Sequence, residues 1–126
     1  MAHQHTALIV EDEPAIRELI ADVLTLEGFA VDEAADGVEA LDLIDQQPED
    51  YCLLLVDCML PNLPGADVLR HVRASDAVVP VIAMSASQWH LAEATAVGAT
   101  CALAKPFDLD TLLTVVDGCL SDEAGR

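Results

Sequence analysis

The stretch LLLVDCMLPNLPG, residues 53–65, decides how this chain folds. Five apolar residues at 52–56 run without interruption into Asp57, after which Pro61, Asn62, Pro64 and Gly65 break regular structure. A short run that is apolar on both faces suits the centre of a parallel sheet, because helices cover both of its sides. Asp57 then stands at the C-terminal end of that strand, which is where open α/β sheets bind ligands.

Outward from this strand, short apolar runs alternate with amphipathic stretches. Residues 7–10 read as a buried first strand. Pro14 sits where a helix start tolerates it, and Ile16, Leu19, Ile20, Val23 and Leu24 form one apolar stripe that ends before Gly28. Residues 29–34 make a second strand, and Asp36 and Glu39 have the spacing of a capping box for a helix reaching about Gln46, before Pro48. Beyond the 59–65 loop, a short helix turns Val68, Leu69 and Val72 inward and leads to a fourth strand at 79–84. Ser87 caps a short fourth helix that stops at Gly98, and residues 101–104 form a fifth strand. Asp108 caps the last helix, Phe107 staples onto Leu112, and Leu109, Leu113, Val116 and Leu120 supply its stripe. The expected class is α/β, doubly wound, with a five-stranded parallel sheet covered on both faces.

The length of 126 residues suits one domain with one core. A formal charge of −18 repels phosphate backbones and anionic lipid, so direct nucleic-acid and membrane-surface binding are excluded as functions. Partners with basic rims and divalent cations fit better. Cys52, Cys58, Cys101 and Cys119 show no metal-site spacing, and their apolar neighbours suit buried thiols in a reducing cytoplasm. The start of the chain has no basic segment ahead of its short apolar run, so it reads as neither signal peptide nor anchor, and His3 and His5 as part of a frayed polar end.

The ends of the predicted strands collect Glu11 and Asp12 after the first, Asp57 after the third, Ser85 after the fourth and Lys105 after the fifth. Two carboxylates about 4 Å apart repel by roughly 4 kcal/mol at an effective dielectric near 20, so the acids call for a cation. Magnesium prefers oxygen ligands and is held by one or two carboxylates plus a phosphate. Lys105, the sole lysine, serves a phosphate oxygen or an acidic partner. Singly, each residue has an ordinary alternative: a helix-start acid, a turn or capping Asp, a capping Ser, a solvated Lys. Their joint placement at four strand ends favours the functional reading.

The segments ALIVEDEP (7–14), LLLVDCMLPNLPG (53–65), PVIAMSAS (80–87) and ALAKPFDLDTLL (102–113) together resemble the receiver domains of two-component response regulators. The resemblance runs from Thr6 to Leu120, leaving 1–5 as a flexible start and 121–126 as a polar tail. It implies the flavodoxin-like strand order 2-1-3-4-5 with five flanking helices. It further implies a phosphoacceptor in two-component signalling or phosphorelay: cytoplasmic, not an enzyme, and supplied by a histidine kinase or histidine phosphotransfer protein. By that resemblance Asp57 takes the phosphoryl group. Asp12, Asp57 and the Met59 carbonyl bind magnesium, with Glu11 one water removed. Ser85, the Ala86 amide and Lys105 hold the phosphoryl oxygens, and the Lys105–Pro106 bond is cis. The downstream listener is an unnamed protein.

One position departs from the family pattern. Ala102 stands where relatives commonly carry Tyr or Phe, so the usual aromatic switch is missing, and Trp89, four residues after Ser85, becomes a switch candidate together with Ser85 and Ala102. Met59 is further expected to shield the phosphoryl group from water or simply to pack the loop. A haloacid dehalogenase type phosphohydrolase would need a second Asp where Met59 stands. A receiver-shaped module that is never phosphorylated is the alternative function.

Overall fold

A computed structural model describes residues 5–46, 51–75 and 78–124. Strands β1 (Thr6–Val10), β2 (Ala30–Ala34), β3 (Tyr51–Asp57), β4 (Val81–Ser85) and β5 (Cys101–Ala104) alternate with helices α1 (Pro14–Leu26), α2 (Gly37–Gln46), α3 (Gly65–Ala74), α4 (Gln88–Ala96) and α5 (Leu109–Ala124). The sheet order is β2-β1-β3-β4-β5 and all four pairings are parallel, as expected.

Successive residues of a strand point to opposite faces, and here both faces are covered. Leu8, Val10, Leu54, Val56, Val81 and Ala83 meet the apolar sides of α2, α3 and α4. Ala7, Ile9, Leu53, Leu55, Ile82, Met84 and Leu103 meet Ile20, Val23 and Leu24 of α1 and Leu112, Val116 and Cys119 of α5. β3 is buried along nearly its whole length, which explains why its sequence shows no polar alternation.

Helix ends follow the sequence closely. The capping box of α2 forms, with Glu39 N–H donating to Asp36 Oδ1 at 2.8 Å and Glu39 Oε1 accepting from Ala35 N–H at 2.7 Å. Ser87 and Asp108 accept from His90 N–H and Thr111 N–H, at 3.3 and 2.8 Å. Gly98 ends α4 in a left-handed conformation, φ 121°.

Several expectations need correction. Phe29 lies outside β2 because its N–H caps α1 on Leu24 O at 3.0 Å. Val79 lies outside β4 because its carbonyl accepts from Arg73 Nη1 at 2.8 Å instead of joining the ladder. β3 is longer than 52–56, taking in Tyr51 and Asp57. Leu19 and Leu109, assigned to buried stripes, are 41% and 48% exposed, and the inward row of α5 is Leu112, Val116 and Cys119. Cys58 and Cys119 are buried thiols as expected, while Cys52 and Cys101 are half-buried, and none of the four is in a disulfide. Helix α5 continues to Ala124, into the stretch expected to be a loose tail. His3, Pro48 and the last two residues lie outside the described residues.

Candidate functional site

The parallel register brings the C-terminal ends of β1, β3, β4 and β5 to one edge of the sheet. Val10 pairs with Val56, Asp57 with Met84, and Ser85 with Ala104. The residues that follow must therefore converge: Glu11 and Asp12 from β1, Asp57 from β3 and Lys105 from β5.

Lys105 Nζ sits between two acids, 2.6 Å from Glu11 Oε1 and 3.0 Å from Asp57 Oδ2. The remaining oxygens take backbone amides: Glu11 Oε2 accepts from Glu13 N–H at 3.1 Å, and Asp57 Oδ1 from Met59 N–H at 3.1 Å. Glu11 is fully buried and Asp57 only 4% exposed, whereas Asp12 is exposed and makes no hydrogen bond among the described residues. Burial lifts the Glu11 carboxyl above its ordinary pKa, and the neighbouring Asp57 charge adds to this against the pull of Lys105 and the Glu13 amide. For Lys105, burial works against the charge, but its hydrogen bonds to Glu11 and Asp57 outweigh it and raise the ammonium above its ordinary value. The lysine is therefore a fixed cation at neutral pH. The sequence reading gave Lys105 a phosphate oxygen or an acidic partner; here it is shared between two acids, with the shorter contact to Glu11.

Two acids contact the one ammonium, and a third lies beside them. Carboxylate oxygens of Glu11, Asp12 and Asp57 lie within 4.8 Å of one another, a set of hard oxygen donors that suits a small divalent cation. Asp12, unclaimed by other described groups, is the acid freest to ligate.

Ser85 is buried but turned to its own loop, its Oγ accepting from Ser87 N–H at 3.0 Å, while its carbonyl accepts from Lys105 N–H at 2.9 Å. Ala86 is exposed beside the cluster, and with Lys105, Pro106, Phe107, Ile16 and Leu19 it lines an apolar cavity of about 270 Å³. Met59 is 59% exposed and borders a second cavity of about 300 Å³ with Cys58 and His90. The buried Cys58 thiol donates to His90 O at 3.7 Å, and burial, together with the charges of Asp57 and Glu93, pushes its pKa up to about 11. Trp89 is 68% exposed and stands edge-on to His90 at 5.1 Å. Ala102 is exposed on the edge strand β5, opposite Ala83. The Lys105–Pro106 bond is cis, as the resemblance implies.

Two residues of this region escaped the sequence reading. Arg17, on the second turn of α1, donates from Nη1 to the Glu11 carbonyl at 2.8 Å and from Nε to Glu33 Oε1 at 3.2 Å. Its one sequence signal is a cation shortly after an acidic pair. Gly65 is the other: a Cβ there would lie 2.3 Å from the Asp57 carbonyl oxygen. The glycine closing a Pro-rich loop was visible, but not the close approach it permits. Asn62 holds a left-handed conformation, φ 69°, and ties the loop to α2 through Asp36 at 3.1 Å.

Comparisons with known proteins converge on one group. The family described as the response regulator receiver domain matches residues 7–117. Sporulation initiation phosphotransferase F of Bacillus subtilis is 34% identical over 111 residues, covering 86% of this chain and 88% of the relative. The transcriptional regulatory protein TrcR of Mycobacterium tuberculosis is 36% identical over 115 residues, 90% of this chain, which spans 44% of that longer protein. Among solved structures, the chemotaxis response regulator CheY4 of Vibrio cholerae superposes with a TM-score of 0.84 at 30% identity, covering 94% of this chain and all of that one.

Proposed function

This chain belongs to the response regulator receiver domain family, the phosphoacceptor modules of two-component signalling, and on that premise we propose that Asp57 takes the phosphoryl group. The observation that carries the assignment is the position of Asp57 at the end of the central strand, with one oxygen on the Lys105 ammonium and the other on the Met59 amide. The domain so proposed spans residues 6–120.

The donor is a phosphohistidine on a histidine kinase or phosphotransfer protein. An Asp57 oxygen attacks phosphorus, the P–N bond breaks, and the donor imidazole keeps the electron pair and takes up a proton. There is little covalent chemistry for the protein to perform, so alignment and neutralisation of the equatorial oxygens carry the catalysis. Lys105 supplies a charge to one of those oxygens, Ser85 Oγ leaves the Ser87 amide for another, and the N–H of the exposed Ala86 serves the third. Asp12, Asp57 and the Met59 carbonyl would hold magnesium, with Glu11 acting through a bound water, and the ion would supply the remaining positive charge. The product is an acyl phosphate, so the protein is a stoichiometric acceptor and not a turnover enzyme. Ser85, Trp89 and Ala102 are the switch positions proposed to pass the change to a downstream protein. The acidic charge argues for protein partners and against nucleic acid or membrane, and the four thiols suit a reducing cytoplasm.

Incubation with acetyl phosphate and magnesium should add the mass of one phosphoryl group, and chelation should prevent it. Absence of any adduct in the folded, magnesium-supplied protein would favour the phosphorylation-independent alternative.

The metal assignment has its own test. Glu11→Gln keeps one acceptor oxygen, for either Lys105 or the Glu13 amide, and sets an NH2 against the other, so magnesium affinity should fall about tenfold, as for an outer-shell partner. Asp12→Asn removes a direct ligand and should cost more than about a hundredfold, beyond the range of a merely orienting group. Equal losses in calorimetric titration would overturn the proposed ligand set.

A further inference from the structure

We propose that Arg17 is a positioning residue for this magnesium site: it fixes the peptide plane from which Glu11 and Asp12 project. The inference rests on the metal reading above.

The peptide joining residues 11 and 12 connects the end of β1 to the approach to α1, and both acids are aimed by it. Groups on either side of it are engaged. Glu11 N–H donates to Ala34 O at 3.0 Å, and Glu13 N–H to Glu11 Oε2 at 3.1 Å. The carbonyl of Glu11 is taken by Arg17 Nη1 at 2.8 Å. Arg17 is itself anchored, because Nε reaches Glu33 Oε1 on β2 at 3.2 Å, and its side chain is only 21% exposed. A guanidinium held at two points is a rigid fork, which a single ammonium cannot reproduce. Asp12 has no side-chain hydrogen bond among the described residues, so its direction before metal arrives is set by its backbone. Arg17 is the side chain that holds that backbone.

If Arg17 served merely as a surface partner of Glu33, its loss would change little, since exposed pairs contribute weakly. If its charge mattered most, removing it beside a cation site would tighten magnesium. Positioning predicts the reverse sign. Glu33, 3.2 Å from Arg17 Nε, already offsets that charge, whereas the hydrogen bond to the Glu11 carbonyl acts on the loop directly. Loosening should therefore win.

The test uses the whole chain, with magnesium titrated calorimetrically and amide exchange followed without metal. Arg17→Met should bind magnesium about tenfold more weakly, the lower end of what loss of an outer-shell partner costs. Arg17→Lys should fall between it and the parent, and exchange at Glu13 N–H should speed up in the Met variant. Circular dichroism confirms that both remain folded. Affinity equal to or tighter than the parent in Arg17→Met, or unchanged exchange at Glu13, overturns the positioning role. Asp12→Asn runs alongside: if it binds magnesium as the parent does, the metal reading itself fails, an outcome distinct from an inert Arg17.

Discussion

Asp57→Asn should take up no phosphoryl group from acetyl phosphate or from a cognate kinase, a loss of at least about a thousandfold in labelling rate, of the order seen when a nucleophile is removed. The other two strand-end acids cannot substitute. Glu11 is fully buried, so its carboxylate is not presented to an incoming phosphorus. Asp12 is exposed but makes no contact with Lys105, the ammonium that neutralises the oxygens of the transferring group. The asparagine carbonyl can still accept from Met59 N–H, so the loop keeps its shape and the variant stays folded. Intact mass and peptide mapping read the result. Full labelling of the variant at another residue would reject Asp57 as the acceptor.

Gly65→Ala should damage both folding and phosphorylation, although residue 65 contacts no phosphoryl oxygen in the proposed mechanism. Its new Cβ would meet only backbone: Asp57 O at 2.3 Å, Cys58 Cα at 2.9 Å and Asp57 C at 3.0 Å. Backbone cannot swing aside as a flexible side chain could. Relief requires moving the first turn of α3 or the end of β3, and that strand end is pinned by Cys58 N–H on Met84 O at 2.9 Å and by Gly65 N–H on Cys58 O at 3.1 Å. Overpacking of this kind costs about 1–3 kcal/mol. A displacement of Asp57 by about 1 Å would slow phosphoryl transfer roughly a hundredfold. Urea unfolding and initial labelling rates measure the two effects. Gly118→Ala is the control: nothing lies within 4 Å of its would-be Cβ in α5, so it should stabilise by about 0.5–1 kcal/mol and leave labelling alone. Equal behaviour of the two variants would remove the close approach as the reason for Gly65.

The strand-end chemistry was legible in the sequence because each acid, and Lys105, directly follows an apolar strand whose parallel pairing could be inferred. Once five such strands lie side by side, their ends must meet, and the meeting of Glu11, Asp57 and Lys105 follows from register alone. Caps at Asp36, Ser87 and Asp108 were legible because they are local, set by residues three apart. What escaped depends on distant partners. Val79 was assigned to a strand on its β-branched side chain, but Arg73 claims its carbonyl across the loop. Leu19 and Leu109 fit a helical period yet lie at the margins of the stripe, where the neighbouring layer ends. Arg17 reaches a main-chain carbonyl, a contact that leaves no trace in residue type or spacing at the accepting position. The division of Lys105 between two acids likewise depends on distances that register does not set.

The thiol beside the proposed acceptor bears on the lifetime of the acyl phosphate. A phosphorylated aspartate is a mixed anhydride, and sulfur nucleophiles attack such carbonyls readily; capture by Cys58 would expel phosphate and leave a dead thioester next in the chain. Only the thiolate attacks. With a pKa near 11, Cys58 is ionised in about one molecule in ten thousand at neutral pH, and its sulfur is turned toward the first turn of α4 through His90 O. The same burial and acidic neighbours that make this cysteine inert therefore protect the message from self-erasure, leaving water as the reagent that times its decay.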